Sequence, residues 1–482
     1  MGAVTMQSAI RFFRCAARPV RGRNSLVKIA IAILLGAAIA VSAFPSPLSA
    51  RSSWDNPPIR SRYVAPARQS VIIRGATILV GDGSRIDDGD ILLRNGKIAR
   101  VGKDIASSGE LEIDGRGLWI TPGLIDVHSH DGTFVLPLLD IDSHAGDVTE
   151  GSDINVADTW IETAVNPQDV AFSRALRAGV TTLQILPGST PIFGGHAVVV
   201  HPVPAATLAE MKFPGAPVGI KMACGENPKS TGGKADHKDW PTSRQGVFSY
   251  MRASFQAAKD YLANERSGRA QPNDPKKAAL AGLLAGDFRL HMHCYRASDL
   301  AAMLDLADEF DFRITAFHHA TEAYKIADRL KAAGTCAAVW SDWWGYKAET
   351  LDAVRANAPI LEHAGACVMM HSDSPAVGQR LNIEAAKAAA AGRRIGLAFS
   401  AEQMIRWTTS VPARALGLED RIGTLAAGYN ADLVVWSGDP FSIYSQPRLV
   451  FIDGAIRFDR SDAEPYAATD FELGRIEYGE VK

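Results

Sequence analysis

The chain has 482 residues, 47% hydrophobic and 22% charged, with 42 Gly and 25 Pro. That balance excludes a small stapled scaffold, a disordered chain and a collagen-like one, and it leaves room for one large barrel plus a smaller module. The formal net charge of −2 is unevenly spread: the first 50 residues carry six basic side chains and no acidic one, and without them 45 basic residues face 53 acidic ones, a net of −8. No basic run or aromatic-basic stripe remains in that acidic remainder, which argues against nucleic acid as a partner.

The six cations, Arg11, Arg14, Arg18, Arg21, Arg23 and Lys28, precede an uncharged apolar run from Ile29 to Phe44, with small residues at the cleavage points after Ala43 or Ala50. This is the order of a secretory signal peptide. A run of 16 residues is short beside the roughly 20 of a spanning helix, so an uncleaved anchor is the lesser reading. Residues 1–50 are read as signal peptide and leader and the protein as exported, periplasmic or secreted; no later segment is long enough to span. Cys15 falls in the leader, while Cys224, Cys294, Cys336 and Cys367 are far apart and lack CxxC spacing. They form no disulfide framework by that spacing, although an exported chain could still form one bond.

A Pro/Arg/Ser-rich linker over 51–70 leads into short alternating runs, Val71-Ile72-Ile73-Arg74, Ile91-Leu92-Leu93-Arg94 and Lys97 to Val101, punctuated by Gly-Asp-Gly and Asn-Gly. These are hairpin signals, and residues 71–120 are read as the first part of a small β module. The same style returns in Asp432 to Trp436 and Leu449 to Gly454. Residues 416–460 therefore complete a β-sandwich module built from both ends of the chain, with 461–482 as a tail. Between them, over 121–415, β-rich runs alternate with helical patterns such as Pro167 to Ala178, Ser298 to Glu309 and Thr321 to Ala333. Eight strand candidates end near His130, Leu186, Val203, Met222, His293, His319, Trp340 and Asp373. Strand-helix alternation of this length predicts a (β/α)8 TIM-like barrel with its active site at the C-terminal ends of the strands. The long stretch from Cys224 to Asp287 is expected to hold an extra helix, Gln245 to Ala263, and a lid.

An apolar strand running from Ile120 ends in His128-Ser129-His130. Side chains at i and i+2 point the same way, so two imidazoles at a barrel mouth can chelate one metal. His291, His293, His318, His319 and His371 also fall at predicted strand ends. His291 and His293 share a face, and His293, nearer the mouth, is the better ligand. His318 and His319 face opposite ways, so at most one is expected to point into the barrel. Asp373, after the apolar run Cys367 to Met370, would stand at the last mouth, where a carboxylate can bind metal and accept a proton.

Taken together these residues resemble the metal-dependent amidohydrolase superfamily, in its imidazolonepropionase-like branch, which includes dipeptidases. The motifs are Pro122-Gly-Leu-Ile-Asp-Val-His-Ser-His130, Ala178-Gly-Val-Thr-Thr182, Leu186-Pro-Gly-Ser189, Lys221 to Lys229, His291-Met-His-Cys-Tyr-Arg-Ala-Ser-Asp299, His319-Ala-Thr-Glu-Ala-Tyr324, His371-Ser-Asp-Ser374 and Arg421 to Trp436. The resemblance covers about residues 70 to 460. It implies that His128, His130 and Asp373 bind one metal and His293 and His319 a second, zinc or another divalent ion. It also implies that Lys221, as a carbamate, bridges the two, which burial near cations would favour by keeping the amine neutral. Glu226 lies close enough in sequence to be an alternative bridge, and Tyr295 stands where close relatives often carry a second histidine.

The mechanism so implied is hydrolysis of a C–N amide bond in a dipeptide, N-acyl amino acid or cyclic amide by a metal-activated hydroxide, with Asp373 as catalytic proton carrier. His196, in the Gly-rich stretch after strand two, and Tyr324 are read as substrate contacts, with Tyr346 and Arg296 as weaker ones. The expected partner is a small-molecule or dipeptide substrate, with no stable membrane span after cleavage and a homo-oligomer left open. A mononuclear deaminase or cyclic imine hydrolase of the same superfamily is a second reading, against which stands the lack of an HxxE glutamate after His293. A silent barrel acting as a binding protein is a third, against which stands the complete set of His128, His130, His293, His319 and Asp373.

Overall fold

The computed structural model describes residues 57–134, 144–229 and 240–462. The signal peptide and leader, residues 51–56 of the linker, residues 463–482 of the C-terminal tail and residues 230–239 of the stretch expected to hold a lid lie outside the described residues. Strands β1 (Val71–Leu79), β2 (Arg85–Arg94), β3 (Lys97–Gly102), β4 (Leu111–Asp114) and β5 (Trp119–Pro122) come first. The barrel staves follow as β6 (Leu124–Ser129), β7 (Val180–Ile185), β8 (Phe193–His196), β9 (Val198–Val200), β10 (Gly219–Ala223), β11 (Arg289–Cys294), β12 (Ile314–His319), β13 (Cys336–Val339) and β14 (Val368–Met370). β15 (Leu433–Trp436), β16 (Pro447–Ile452) and β17 (Ala455–Asp459) close the described chain.

Strands from both ends meet in one eight-stranded sheet, ordered β17-β16-β15-β5-β1-β2-β3 with β4 on β1. β15 runs antiparallel to β5, with Val435 opposite Ile120, so the chain returns to pair with its own beginning. One face buries Ile73, Ile78, Ile91, Ile98, Leu433 and Phe451 in a cluster separate from the barrel core. Asn95 and Gly96 join β2 to β3 with φ of 53° and 78°, the type I′ geometry that an Asn-Gly pair adopts most readily and that matches strand twist.

The barrel has eight staves, seven of them parallel. β6 pairs with β7, and β10 to β14 pair in series, all in parallel register. The third stave corrects the all-parallel expectation. β9 is antiparallel to β7 and β8 antiparallel to β10, the two being one run interrupted at Ala197. The turn from Leu186 to Ile192 contains no crossover helix, so the chain re-enters the sheet in the opposite sense. The last and first staves meet through Asp373 N donating to His128 O at 2.9 Å and Ser372 N donating to Asp126 Oδ1 at 3.1 Å. The long connection after β10 holds the expected helix, as Arg244–Arg266, and a second one, Pro275–Ala285. Among the described residues, no helix is long and apolar enough to cross a membrane.

The cysteine expectation is also corrected. Cys224 is bonded to Cys294 and Cys336 to Cys367, with Cα atoms 5.2 and 4.4 Å apart. Each pair is distant in sequence yet sits on neighbouring staves, which sequence spacing without the register could not reveal. Alkylation of unreduced, unfolded protein lacking residues 1–50 is expected to label no cysteine, as read by mass spectrometry. Replacing Cys336 and Cys367 by Ser opens a link across 31 residues and should lower the unfolding free energy by about 3 to 4 kcal/mol in denaturant titration.

Candidate metal centre

Stave ends β6, β10, β11, β12 and β14 deliver their polar side chains to one place at the C-terminal mouth. His128 Nε2 and His130 Nε2 lie 3.2 Å apart, and Asp373 Oδ1 is 3.1 Å from the first and 3.0 Å from the second. These three residues form one group of ligand geometry; His128, His319 and His371 form another. His130 is oriented from behind by Leu186 O, 2.8 Å from its Nδ1, which leaves Nε2 facing the group. Asp126 performs a related service for the backbone, its Oδ1 accepting from both His128 N and Ser372 N.

His318 and His319 overturn the expectation that only one can point inward. By strand alternation His318 enters the barrel, and its ring centroid lies 4.7 Å from that of His128. His319 should then face out, but its φ is 69° and that of Ala320 is 39°. This left-handed turn rotates the second imidazole back to the mouth, 5.1 Å from His128 and 4.5 Å from His293. Asp373 adopts a φ of 56° as well. Three non-glycine residues with positive φ cost roughly 1 to 3 kcal/mol each and are a frequent mark of functional sites.

The site fits a divalent cation on its own chemistry. Both ring nitrogens of His293 and of His371, and Nδ1 of His319, are buried with no hydrogen-bond partner among the described residues. Orphaned buried nitrogens are costly unless something absent from the chain satisfies them. Burial, helped by Lys221 and the other imidazoles, holds His128 well below its ordinary pKa, and the same crowding acts on His293 and His319. Neutral imidazole is the metal-binding form. Burial opposes ionisation of Asp373, but His319, His130 and His371 outweigh it and keep the carboxyl well below the usual carboxylate range.

Lys221 is fully buried on β10, with Nζ 3.5 Å from His128 Nε2 and donating to Pro187 O at 3.2 Å. Burial pushes its amine down to about 8, against a smaller opposing pull from Asp373. Glu226 is placed elsewhere: its amide donates to Glu349 Oε1 at 2.9 Å and its carboxylate lies 3.6 Å from Lys347. Tyr295 stacks on His319 with centroids 5.0 Å apart and shares a 2.6 Å hydrogen bond with the Tyr346 hydroxyl. Trp340 stacks on the same histidine at 4.5 Å and on Trp343 at 4.5 Å, so His319 is held between aromatic rings.

Three expected substrate contacts, His196, Tyr324 and Arg296, fall away from this group. Because the third stave runs downward, His196 lands opposite Ile220, toward the N-terminal end of β10. Its ring stacks on Trp160 at 4.0 Å and its Nδ1 lies 3.0 Å from Thr159 O. Tyr324 donates its hydroxyl to Asp352 O at 3.1 Å, and Arg296 occupies the cap of helix Ala297–Phe310. His371 and the aromatic residues Tyr295, Trp340 and Trp343 surround the centre without having been singled out as site residues. For His371 a signal was present, two residues before Asp373, while the tryptophans lie on a stretch whose path only the fold defines.

The amidohydrolase family model matches residues 119–460, and the chain belongs to this family. It is 31% identical over 445 residues to the amidohydrolase tasK of Hapsidospora irregularis, an alignment covering 83% of this chain and 44% of that one. The chain thus spans less than half the length of that relative. An amidohydrolase from Thermotoga maritima superposes with a TM-score of 0.73 at 31% identity, covering 81% of this chain and 100% of the other. A shorter match, 42% identical over 72 residues, is to the N-acyl-D-aspartate deacylase of Alcaligenes xylosoxydans xylosoxydans, covering 15% of this chain and 14% of that one.

A neutral amine is required for carbamate formation, and the neutral fraction of Lys221 rises as pH climbs through about 8. Metal-stripped protein given 13C-bicarbonate and zinc is therefore expected to gain a carbamate carbon signal, faster above that pH than below it. Lys221→Met should abolish the signal; its persistence would place the modification elsewhere.

Proposed function

We propose that this protein is an exported amidohydrolase that holds divalent cations, zinc foremost, and hydrolyses the C–N amide bond of a dipeptide, an N-acyl amino acid or a cyclic amide. The observation carrying the reading is the convergence of His128, His130 and Asp373 beside the partnerless nitrogens of His293, His319 and His371. The short likeness to an N-acyl-D-aspartate deacylase is in keeping with acyl–nitrogen cleavage. Export is supported by the basic-then-apolar leader and by two disulfides, which persist in oxidising compartments.

His128, His130 and Asp373 would hold one cation and His293, His319 and carbamylated Lys221 the other. When bound, such cations bring the pKa of water toward about 7 and polarise a carbonyl. Asp373 takes the proton of the attacking water on its carboxylate and delivers it to the leaving nitrogen as the C–O bond forms and the C–N bond breaks. Its rigid placement, by the Asp373 N to His128 O bond, keeps that carboxylate aimed while the proton is in transit. Tyr346, 52% exposed at the rim and bonded to Tyr295, offers the substrate's side group an amphipathic surface.

A single-cation deaminase is the second reading, favoured by the fact that His128, His130 and Asp373 already complete a three-residue group without Lys221. Elemental analysis of protein lacking residues 1–50, reconstituted with bicarbonate and zinc, separates the two. About two metals per chain, with turnover of dipeptides or N-acyl amino acids, is expected. About one, with ammonia released from amino-substituted rings, would select the deaminase, and no uptake would sink both.

Asp373→Asn is expected to lower kcat by about 100- to 10,000-fold, read in the same turnover assay. Tyr346→Ala should instead raise KM several-fold at nearly unchanged kcat; an equal effect on both would remove the rim assignment.

A further inference from the structure

Beneath the candidate metal centre, side chains from four staves form one buried line. Gln184 on β7 places Nε2 3.2 Å from His291 Nε2, His291 Nδ1 is 2.9 Å from His318 Nε2, and His318 Nδ1 is 3.0 Å from His128 Nδ1. All four residues are at most 1% exposed. Gly219 makes room for the line: a Cβ there would lie 2.6 Å from Gln184 Nε2 and 3.2 Å from His291 Cδ2. His291, His318 and Gln184 have no part in the proposed hydrolysis.

An uncharged imidazole has one N–H and one lone pair, so hydrogen bonds along such a line all run in one direction. If the amide of Gln184 donates to His291, each histidine passes the donation on, and His128 receives it at Nδ1. Its hydrogen is then on Nε2, the nitrogen facing Asp373 Oδ1 and His130 Nε2, where it blocks the lone pair that a cation needs. In the reverse direction His128 Nδ1 donates to His318 Nδ1, His318 Nε2 to His291 Nδ1, and His291 Nε2 to an amide oxygen of Gln184. That direction frees His128 Nε2 and requires only that the Gln184 amide be turned over. Nothing else fixes the amide, because its other atom, Oε1, is buried without a partner.

We propose that Gln184, acting through His291 and His318, is a positioning residue that sets the tautomer of His128, its amide oxygen terminating a line of donations that leaves His128 Nε2 open for a cation. The inference rests on the metal reading of the site. A glutamine suits the end of such a line because it offers an acceptor without placing a charge in the barrel interior. Leucine removes that acceptor; glutamate retains it.

The test combines zinc affinity, measured by competition with a chromophoric chelator, with the ring-nitrogen spectrum of protein labelled with 15N-histidine, both on protein lacking residues 1–50. Zinc-loaded wild type should carry hydrogens on His128 Nδ1, His318 Nε2 and His291 Nε2. Gln184→Leu should bind zinc about 10- to 100-fold more weakly, and Gln184→Glu should recover most of that loss, which a merely space-filling role would not predict. Wild-type affinity in Gln184→Leu, or a hydrogen on His128 Nε2 in the zinc-loaded wild type, would overturn the inference while leaving the metal reading intact. Failure of wild type to take up zinc would overturn the metal reading and the inference together. The wild-type spectrum decides the matter even if Gln184→Leu does not fold.

Discussion

The carboxylate of Asp373 stands 3.0 to 3.8 Å from His130, His128 and His319, and the amide of the same residue donates to His128 O. One residue therefore gathers the imidazoles and joins the last stave to the first. The left-handed backbone of Asp373 and His319 is costly alone, and it persists because these hydrogen bonds and the bond from Ala320 N to Cys294 O at 2.9 Å leave the chain no relaxed alternative. The strain and the chemistry have one source: side chains that would diverge on ordinary strands are turned to a common point.

Much of this was legible in the sequence. His128, His130, His293 and Asp373 were identified because period-two alternation and an apolar run before each fix which side chains face the mouth. The β module was legible from its Asn-Gly hairpin and its alternating strands, and the helix over 244–266 from its pattern. Where the reading failed, it failed on backbone sense and local handedness. Alternation misjudged the pair His318 and His319 because the left-handed turn at His319 and Ala320 breaks it. His196 was misplaced because a strand of reversed direction has the same alternation as a parallel one. The cysteine pairs required the stave register, which relates residues 70 and 31 positions apart.

Aromatic residues around His319 form a second layer that no local motif announced. Tyr295 follows β11 while Trp340 and Trp343 share the connection after β13, yet Tyr295 and Trp340 both stack on His319 and Trp343 stacks on Trp340. Such rings exclude water from one flank of the centre and strengthen every electrostatic interaction inside it. Tyr295 contributes a packing contact to His319 and a hydroxyl bonded to Tyr346 at the rim.

The two disulfides lie at opposite ends of the barrel. Cys294 follows His293 directly and Cys224 comes three residues after Lys221, so that bond ties the mouth, whereas Cys336 opens β13 and Cys367 precedes β14 at the base. Covalent ties of this kind hold the donors at their mutual spacing whether or not an ion is present. The ordering entropy is then spent when the chain oxidises and folds, and capturing a scarce ion afterwards becomes a local event in a socket already shaped for it.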